Sequence, residues 1–220
     1  MKMKYRALFF DLDGTLTDPR EGILNSIQYA ADFYGVKTNR NDLYKYIGPP
    51  LKDTFTELIS EDKAMEAILK YRERFDAGGG LFENSIYPNV KETLKELKDL
   101  GYILCTASSK PQPFVERILE HFDIAQYFDY MGGASLDEQR SEKSDVIKYV
   151  LDIAGLSNDE VLMIGDRKYD LIGAKEMNMD AVGVLYGYGD YTELSSEPNI
   201  ALINDIEDLI DVLNTGENDV

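Results

Sequence analysis

The stretch that decides the fold is Phe9–Asp18, which reads FFDLDGTLTD. It begins within an apolar run, Ala7–Phe10, that predicts a buried β-strand. Asp11 and Asp13 come at the end of this run and are separated by one residue, so on an extended backbone their side chains leave from the same face. Ligands bind at the carboxyl ends of strands in open α/β sheets. Because two adjacent carboxylates repel each other unless a cation or a shared proton intervenes, the pair predicts a divalent metal and an acid–base or nucleophilic role.

The composition limits the classes of partner. A chain of 220 residues suits one large domain or two modest ones. The formal net charge of -18 argues against nucleic acid and anionic membranes as partners. If the substrate is an anionic phosphate, a metal and a few local cations would have to make the electrostatic potential at the site positive. We expect a monomer or weak homodimer.

The single cysteine and the lack of long apolar runs bear on location. Cys105 excludes an internal disulfide framework, and its place in the apolar run 102–107 predicts a buried core thiol rather than a nucleophile. No apolar run approaches membrane-spanning length, and the sequence starts without the apolar segment of a signal peptide. These features predict a cytoplasmic protein.

The pattern of apolar residues predicts an α/β protein with an inserted helical domain. After residue 86, short β runs alternate with helical patterns, which favours a Rossmann-like parallel sheet covered by helices. Residues 18–85 contain no convincing strand and carry amphipathic helices, so we expect an all-helical cap domain at 18–85 and a core formed by 1–17 and 86–220. Predicted strands are 5–10, 102–107, 127–132, 160–164 and 181–185.

Several local features refine this division. Asn89, with Glu92 three residues later, predicts a capping box at the start of a helix. The run Gly78–Gly80 predicts a flexible exit from the inserted segment, and Thr215–Val220 predicts a frayed tail. The only histidine, His121, falls in a helical pattern, where an exposed helix position is expected rather than a catalytic one.

Complementary polar groups follow the other predicted strands. Ser108, Ser109 and Lys110 follow the second strand. Arg140 and Lys143 come after the third, and Asp166 and Asp170 follow the fourth. Each group alone fits a turn, a helix start or a surface charge, and Asp170 also fits a helix N-cap. Their appearance in order after four strands predicts one site at the carboxyl edge of the sheet.

These motifs resemble those of the haloacid dehalogenase-like (HAD) superfamily of phosphohydrolases. The counterparts are the run Asp11–Thr15, then Ser108, then Lys143, then Gly165-Asp166 with Asp170. The helical insert, together with the runs 109–111 and 133–137, looks like the phosphoglycolate phosphatase-like branch, which has a helical cap. Pro19-Arg20 departs from that pattern, since relatives usually place a small hydroxyl residue after the equivalent of Asp18.

The resemblance implies a Mg²⁺-dependent phosphatase acting through an aspartyl-phosphate. Asp11 would be the nucleophile, and Asp13 would protonate the leaving oxygen and later accept a proton from water. Ser108, Ser109 and Lys143 would hold the phosphoryl oxygens of a small phosphorylated metabolite. The Asp11 carboxylate, the Asp13 main-chain carbonyl and Asp166 would bind Mg²⁺, with Asp170 orienting that shell. Thr15 is expected to stabilise the first loop, whereas Lys110 and Arg140 fit a substrate-anion contact or solvated surface charge equally well.

The cap would supply substrate specificity. The candidates are the run 46–50 and the helix face that bears Gly22, Ser26 and Tyr29. The run 46–50 fits an interhelix turn equally well.

Other activities remain open on the same motifs. Nucleotidase, pyrophosphatase and sugar phosphomutase would use the same residues. A haloacid dehalogenase does not need an acid at position 13, so Asp13 favours phosphoryl chemistry. A phosphonatase would need a cap lysine, for which Lys37, Lys45 and Lys52 are available, but nothing singles out one of them. The non-enzyme alternative is a phosphoacceptor signalling module, but such receivers are smaller and lack a helical insert. A binding protein without catalysis is disfavoured because every motif position keeps its reactive group.

Overall fold

The computed structural model describes residues 3–137 and 139–215. The chain divides into two compact units. One comprises the chain up to Thr17 and from Ile86 onward, and the other comprises Asp18–Ser85. Beyond Thr215, the predicted frayed tail lies outside the described residues.

The first unit is built on a parallel sheet of six strands in the order β5-β4-β1-β6-β7-β8. Short strands β2 and β3 form a separate two-stranded sheet where the chain passes between the units. This is the parallel α/β core that the sequence predicts. In chain order the strands are β1 (Ala7–Phe10), β2 (Thr17–Asp18), β3 (Ser85–Ile86), β4 (Ile103–Pro111), β5 (Tyr130–Ala134), β6 (Val161–Gly165), β7 (Asp180–Val184) and β8 (Ala201–Ile203).

Helices accompany both units. In the Asp18–Ser85 unit they are α1 (Arg20–Phe33), α2 (Arg40–Leu43), α3 (Leu51–Leu58) and α4 (Ala64–Arg72). In the first unit they are α5 (Val90–Asp99), α6 (Gln112–His121), α7 (Lys143–Ala154), α8 (Lys168–Glu176), α9 (Tyr191–Ser195) and α10 (Asp208–Thr215).

The central strands are apolar without interruption because both faces of the sheet are covered. On one face, Phe9 and Cys105 pack with side chains from α7 and α8 in one buried cluster. From the other face, the ring of Phe10 meets Phe128 edge-on, with 6.3 Å between the ring centroids. The sheet core therefore holds β1 rigidly, which fixes the position of the residues that follow Phe10.

The structure differs from the sequence-based expectation at several places, and the short strands β2 and β3 are among the elements that were not predicted. Strand β8 is present although its apolar run, Ala201–Ile203, is too short to stand out. Strand β4 continues to Pro111, beyond the predicted end at 107. The predicted capping box at Asn89 is wrong, since this residue has a left-handed conformation (φ 60°) and makes no side-chain cap hydrogen bond. Within the predicted flexible glycine run, Gly78 and Gly79 are exposed but Gly80 is buried, and a Cβ at Gly22 of α1 would lie 2.0 Å from the Gly80 carbonyl oxygen, so Gly80 packs closely against α1.

The Asp18–Ser85 unit has its own apolar centre. Residues from three of its helices are fully buried, among them Leu24, Ile27, Phe55 and Ala67. In α1 they recur at helical spacing, which buries one face of that helix. Across the described residues, no helix combines the length and apolarity needed to cross a membrane.

Candidate active site

The first loop begins where β1 ends and carries Asp11. The Asp11 amide donates to the carbonyl of Ile164 on the neighbouring strand β6 at 2.9 Å, and its Oδ1 accepts from the Leu12 amide at 2.7 Å. Gly14 turns the chain with a φ of 87°, and a Cβ added there would lie 2.1 Å from Asp166 Oδ2. Only glycine lets the loop pass this close to Asp166, so the tips of β1 and β6 meet.

Lys143, the first residue of α7, joins three elements of the site. Its Nζ lies 3.1 Å from Asp11 Oδ1 and 2.7 Å from Asp170 Oδ1, and it donates to the carbonyl of Ala107 on β4 at 2.9 Å. The lysine side chain is only 5% exposed. Burial acts to lower the pKa of Lys143, but Asp11 and Asp170 outweigh burial and raise it. The ammonium therefore stays charged beside Asp11.

Asp11, Asp166 and Asp170 form an acidic cluster. Each offers one oxygen, and these oxygens lie within 4.8 Å of one another. Burial, with the charges of Asp170 and Asp11, raises the pKa of Asp166 well above its usual value. Burial likewise raises the pKa of Asp170 to about 6, with Lys143 opposing the change. Buried carboxylates that disfavour their own ionisation form a site at which a cation would be stabilised.

The donors of this cluster suit Mg²⁺. Mg²⁺ prefers oxygen ligands at about 2.0–2.1 Å, which places opposite ligands about 4.2 Å apart. The three carboxylate oxygens lie within 4.8 Å of one another, close enough for members of this cluster to approach one ion. Asp170 already uses both oxygens, one on Lys143 and the other accepting from the Arg167 amide at 3.0 Å. These bonds suit Asp170 for orienting its neighbours, and it lies at the third position of α8 rather than at the N-cap position that its residue type also fits.

Asp13 pairs with Lys110 across the site. Lys110 Nζ lies 2.8 Å from Asp13 Oδ2, and the two side chains are 7% and 25% exposed. Asp13 Oδ1 is buried and has no hydrogen-bond partner among the described residues. Burial raises the pKa of Asp13, although Lys110 opposes the change. The sequence fits Lys110 equally to a substrate contact or a solvated surface charge; the structure buries its side chain against Asp13, which contradicts the solvated surface charge.

The two serines of β4 differ in burial. Ser108 is 2% exposed and follows Ala107, the carbonyl partner of Lys143. Its Oγ accepts from the Lys110 amide at 3.3 Å. Ser109 is exposed. The structure thus brings Ser108 to the same edge as Asp11 and Lys143, whereas the proposed contacts of both serines with a phosphoryl group stay predictions.

Arg140 has a structural role in the described residues. Its Nε donates to the carbonyl of Gly133 at 2.9 Å, and its guanidinium lies 3.6 Å from the ring centroid of Tyr149. A third contact runs to Gln112 Oε1 at 3.3 Å. This guanidinium fastens the loop after β5 to α7, a contact that the sequence did not predict.

The loop after β7 belongs to the site but was missed from the sequence. The Tyr188 amide donates to Asp166 Oδ2 at 2.8 Å, and the Tyr186 hydroxyl donates to the carbonyl of Thr15 at 2.8 Å. Thr15 Oγ1 itself lies 3.4 Å from Asp166 Oδ1, in keeping with its expected role in stabilising the first loop. The signal was a glycine–tyrosine alternation, Tyr186–Gly189, directly after a predicted strand.

Three further predictions concern residues outside the acidic cluster. Cys105 is fully buried, and burial raises the pKa of its thiol to about 12, so it is not a nucleophile. His121 lies exposed at the end of α6. Gly22 and Ser26 are wrong as specificity candidates, because both are buried within their own unit and Ser26 Oγ donates to the Gly22 carbonyl. Tyr29, on the same helix, is 39% exposed.

A family model described as haloacid dehalogenase-like hydrolase matches residues 8–184. A Pseudomonas aeruginosa protein named 5'-nucleotidase is 39% identical over 96% of each chain. A Mycobacterium tuberculosis protein named tyrosine-protein kinase PtkA is 35% identical over 94% of this chain and 72% of its own. A Vibrio parahaemolyticus protein named phosphoglycolate phosphatase is 29% identical over 94% of this chain and 96% of its own.

Solved structures give the same picture. A crystal structure from Clostridium difficile, provisionally assigned as a phosphatase, is 49% identical and has a TM-score of 0.89. It covers 96% of this chain and 100% of its own. Both units of the chain therefore have counterparts in that structure.

Proposed function

The chain belongs to the haloacid dehalogenase-like hydrolase family and is a phosphatase of that family, and we propose that it hydrolyses small phosphomonoesters with Mg²⁺ through an aspartyl-phosphate. One observation carries the proposal. Asp11 stands at the tip of β1 with its carboxylate held by Lys143 and the Leu12 amide, beside two further buried carboxylates. This arrangement presents a carboxylate nucleophile in a fixed orientation next to a cation site.

The first half-reaction transfers the phosphoryl group to Asp11. A carboxylate oxygen of Asp11 forms a bond to phosphorus while the bond from phosphorus to the leaving oxygen breaks. Asp13 gives its proton to that oxygen, and the alcohol departs. The raised pKa of Asp13 favours the protonated form that this step needs. Lys143 and Ser108 would bind the phosphoryl oxygens, where charge is spread in the transition state.

The second half-reaction returns the enzyme to its starting state. A water oxygen attacks phosphorus, the Asp13 carboxylate takes a proton from that water, and the bond from phosphorus to the Asp11 oxygen breaks. Inorganic phosphate leaves, and Asp11 is again a carboxylate beside Lys143. The same residue therefore serves first as acid and then as base, as the principle of microscopic reversibility requires.

The metal would be held by Asp11 and Asp166 with the main-chain carbonyl of Asp13, and Asp170 would orient these ligands through Lys143 and the start of α8. When bound, Mg²⁺ supplies positive charge that neutralises the transferring phosphoryl group. The amide of Tyr188 would keep Asp166 directed toward that position. Removal of the metal should therefore abolish turnover.

We also propose that the Asp18–Ser85 unit acts as a cap that excludes bulk water and selects the leaving group. The partner would be a small phosphorylated metabolite rather than nucleic acid or membrane, in a cytoplasmic monomer or weak homodimer. The resemblance to the phosphoglycolate phosphatase-like branch favours a short phosphorylated acid as substrate. A second candidate is a nucleoside monophosphate, favoured by the 39% identity to the Pseudomonas aeruginosa 5'-nucleotidase.

The test is phosphate release from a panel of 2-phosphoglycolate, nucleoside 5'-monophosphates, sugar phosphates and pyrophosphate. Each is measured with Mg²⁺ and with excess chelator, beside Asp11→Asn and the control Asp152→Asn, whose carboxylate is 66% exposed. We expect Mg²⁺-dependent release in the wild type and the control, and none with Asp11→Asn. Turnover concentrated on one compound identifies the substrate class.

Other outcomes would contradict the proposal. Full activity in chelator would exclude the metal, and retained activity of Asp11→Asn would mean that another group attacks phosphorus. If no compound releases phosphate, conversion of one sugar phosphate into its positional isomer would identify a phosphomutase. Stable labelling of Asp11 by acetyl phosphate would identify a phosphoacceptor module.

A further inference from the structure

Strand β4 contains an irregularity beside the site. The register of its pairing with β5 shifts between Ser108 and Pro111, so β4 carries two extra residues opposite one step of β5, a bulge-like irregularity. Bulges next to active sites re-aim a side chain that regular alternation would send elsewhere. Here the residues inside the shifted segment are Ser109 and Lys110. The exposed side chain is that of Ser109, and the enclosed one is that of Lys110.

The neighbouring strand is shaped to accept this bulge. A Cβ added at Gly133 of β5 would lie 2.6 Å from the Lys110 carbonyl oxygen, closer than real Cβ atoms come to backbone. The Lys110 amide in turn donates to Ser108 Oγ at 3.3 Å. The backbone of Lys110 is therefore fixed on both sides, and its side chain is aimed by the fold rather than left to solvent.

The two oxygens of Asp13 have different surroundings. Oδ2 is 2.8 Å from Lys110 Nζ, whereas Oδ1 is buried with no hydrogen-bond partner among the described residues. A buried polar atom without a partner costs free energy, so its presence calls for an explanation. A leaving-group oxygen or an attacking water would supply the missing partner when substrate is bound.

From these contacts we infer that Lys110 is a positioning residue that holds Asp13 by Oδ2 and leaves Oδ1 to exchange a proton with the leaving group. The inference rests on the acid–base role proposed for Asp13. Lys110 touches neither substrate nor phosphorus in this role. It acts by fixing the orientation of another carboxylate, and misplacing a catalytic group by about 1 Å can cost on the order of 100-fold in rate.

The experiment varies the acidity of the leaving group at constant shape. Substituted phenyl phosphates, from p-nitrophenyl to phenyl to p-methoxyphenyl, differ in how much the departing oxygen needs a proton and carry no second anion. We compare kcat/KM of the wild type with Lys110→Met, Lys110→Arg and Asp13→Asn. Lys148→Met is the matched control, because Lys148 makes an ion pair with Asp152 of the same 2.8 Å length at an exposed position.

Lys110→Met should be impaired by roughly 10- to 100-fold on the least acidic leaving group and only a few-fold on p-nitrophenyl phosphate. Asp13→Asn should show the same trend more steeply. Lys110→Arg should regain much of the loss, and Lys148→Met should match the wild type. A merely structural role would lower all esters by one common factor, so the change in slope is specific to positioning.

Two results would overturn the inference. A common loss on every ester would assign Lys110 to phosphoryl binding or to the fold, and an unchanged profile would leave it no role. Thermal melting of each variant identifies a folding defect, in which case the slope of Lys110→Arg decides. If Asp13→Asn itself keeps the wild-type slope, the acid–base role of Asp13 fails first, which separates failure of the proposed function from failure of this inference.

Discussion

The edge of the sheet and the Asp18–Ser85 unit both contain lysine–carboxylate pairs, but they differ in burial. Lys143 and Asp170 are 5% and 1% exposed in their pair, whereas Lys45 and Glu57 in the helical unit are 58% and 61% exposed. An exposed pair is screened by water and adds little stability. A buried pair is costly to form and costly to break. Burial, rather than the pairing itself, distinguishes the charges to which we assign the chemistry.

Among the variants that test this comparison, Lys143→Met should have the largest effect on stability and turnover. It removes the cation from a site that also holds Asp11, Asp166 and Asp170, and the carboxylates then repel one another. Breaking a buried pair by removing one partner costs about 3–5 kcal/mol. Urea unfolding in chelator should show a loss of that order, with turnover abolished. A variant as stable as the wild type would mean that the carboxylates are protonated or solvated without the lysine.

The pH dependence of stability tests the effect of burial on Asp170. Its folded pKa is about 6, against 3.8 when unfolded. A raised carboxyl pKa gives stability that is present below pH 3.8 and is lost as the pH rises through about 6. The loss is on the order of 3 kcal/mol. In chelator, the wild type should therefore lose stability relative to Asp170→Asn between pH 4 and pH 7. Parallel curves for the two proteins would show that the Asp170 pKa is ordinary.

A pair of tyrosines extends the comparison to hydrogen bonds donated by a hydroxyl. The Tyr186 hydroxyl donates to the Thr15 carbonyl at 2.8 Å within the site, and the Tyr29 hydroxyl donates to Glu73 at 2.9 Å on an exposed surface. Tyr186→Phe should cost about 1 kcal/mol in unfolding free energy and weaken turnover, because it frees the first loop. Tyr29→Phe should change neither measurably. Equal losses would remove the distinction that we draw between the two regions.

The smallest effect is expected from Lys45→Met. The Lys45–Glu57 pair spans 2.5 Å, a shorter distance than any pair to Lys143. Distance alone would rank it above the buried pairs, whereas exposure predicts no measurable change in the melting temperature. Differential scanning fluorimetry with Lys143→Met in the same buffer tests the ranking. A destabilisation comparable to that of Lys143→Met would show that exposure is the wrong criterion.

The sequence predicted the sheet-edge residues well, because strand tips follow from local patterns. Asp11, Lys143, Asp166 and Asp170 were each read from an apolar run and the polar residues after it, and the structure brings all four together. The fold class was predicted for the same reason, since uninterrupted apolar strands that alternate with amphipathic helices require a covered parallel sheet.

Other features of the site could not be read in this way. Lys110 faces Asp13 only because β4 bulges against Gly133, which is a property of strand pairing and not of either segment alone. From the sequence, Arg140 fits a substrate-anion contact or a solvated surface charge. In the structure it donates to the Gly133 carbonyl and lies over Tyr149. Gly22 and Ser26 looked like a ligand-facing surface, but the direction of a helix face is decided by what packs against it.

The sequence by itself therefore determined which chemical groups stand at the ends of the strands, and hence the family and the class of reaction. Apolar periodicity and motif spacing are local properties, so they can be read directly from the sequence. The tertiary structure decided which of those groups touch, which oxygens of Asp13 and Asp166 have partners, and which charges are buried. These depend on strand register, a bulge and the loop after β7, which bring residues distant in the chain within hydrogen-bonding distance.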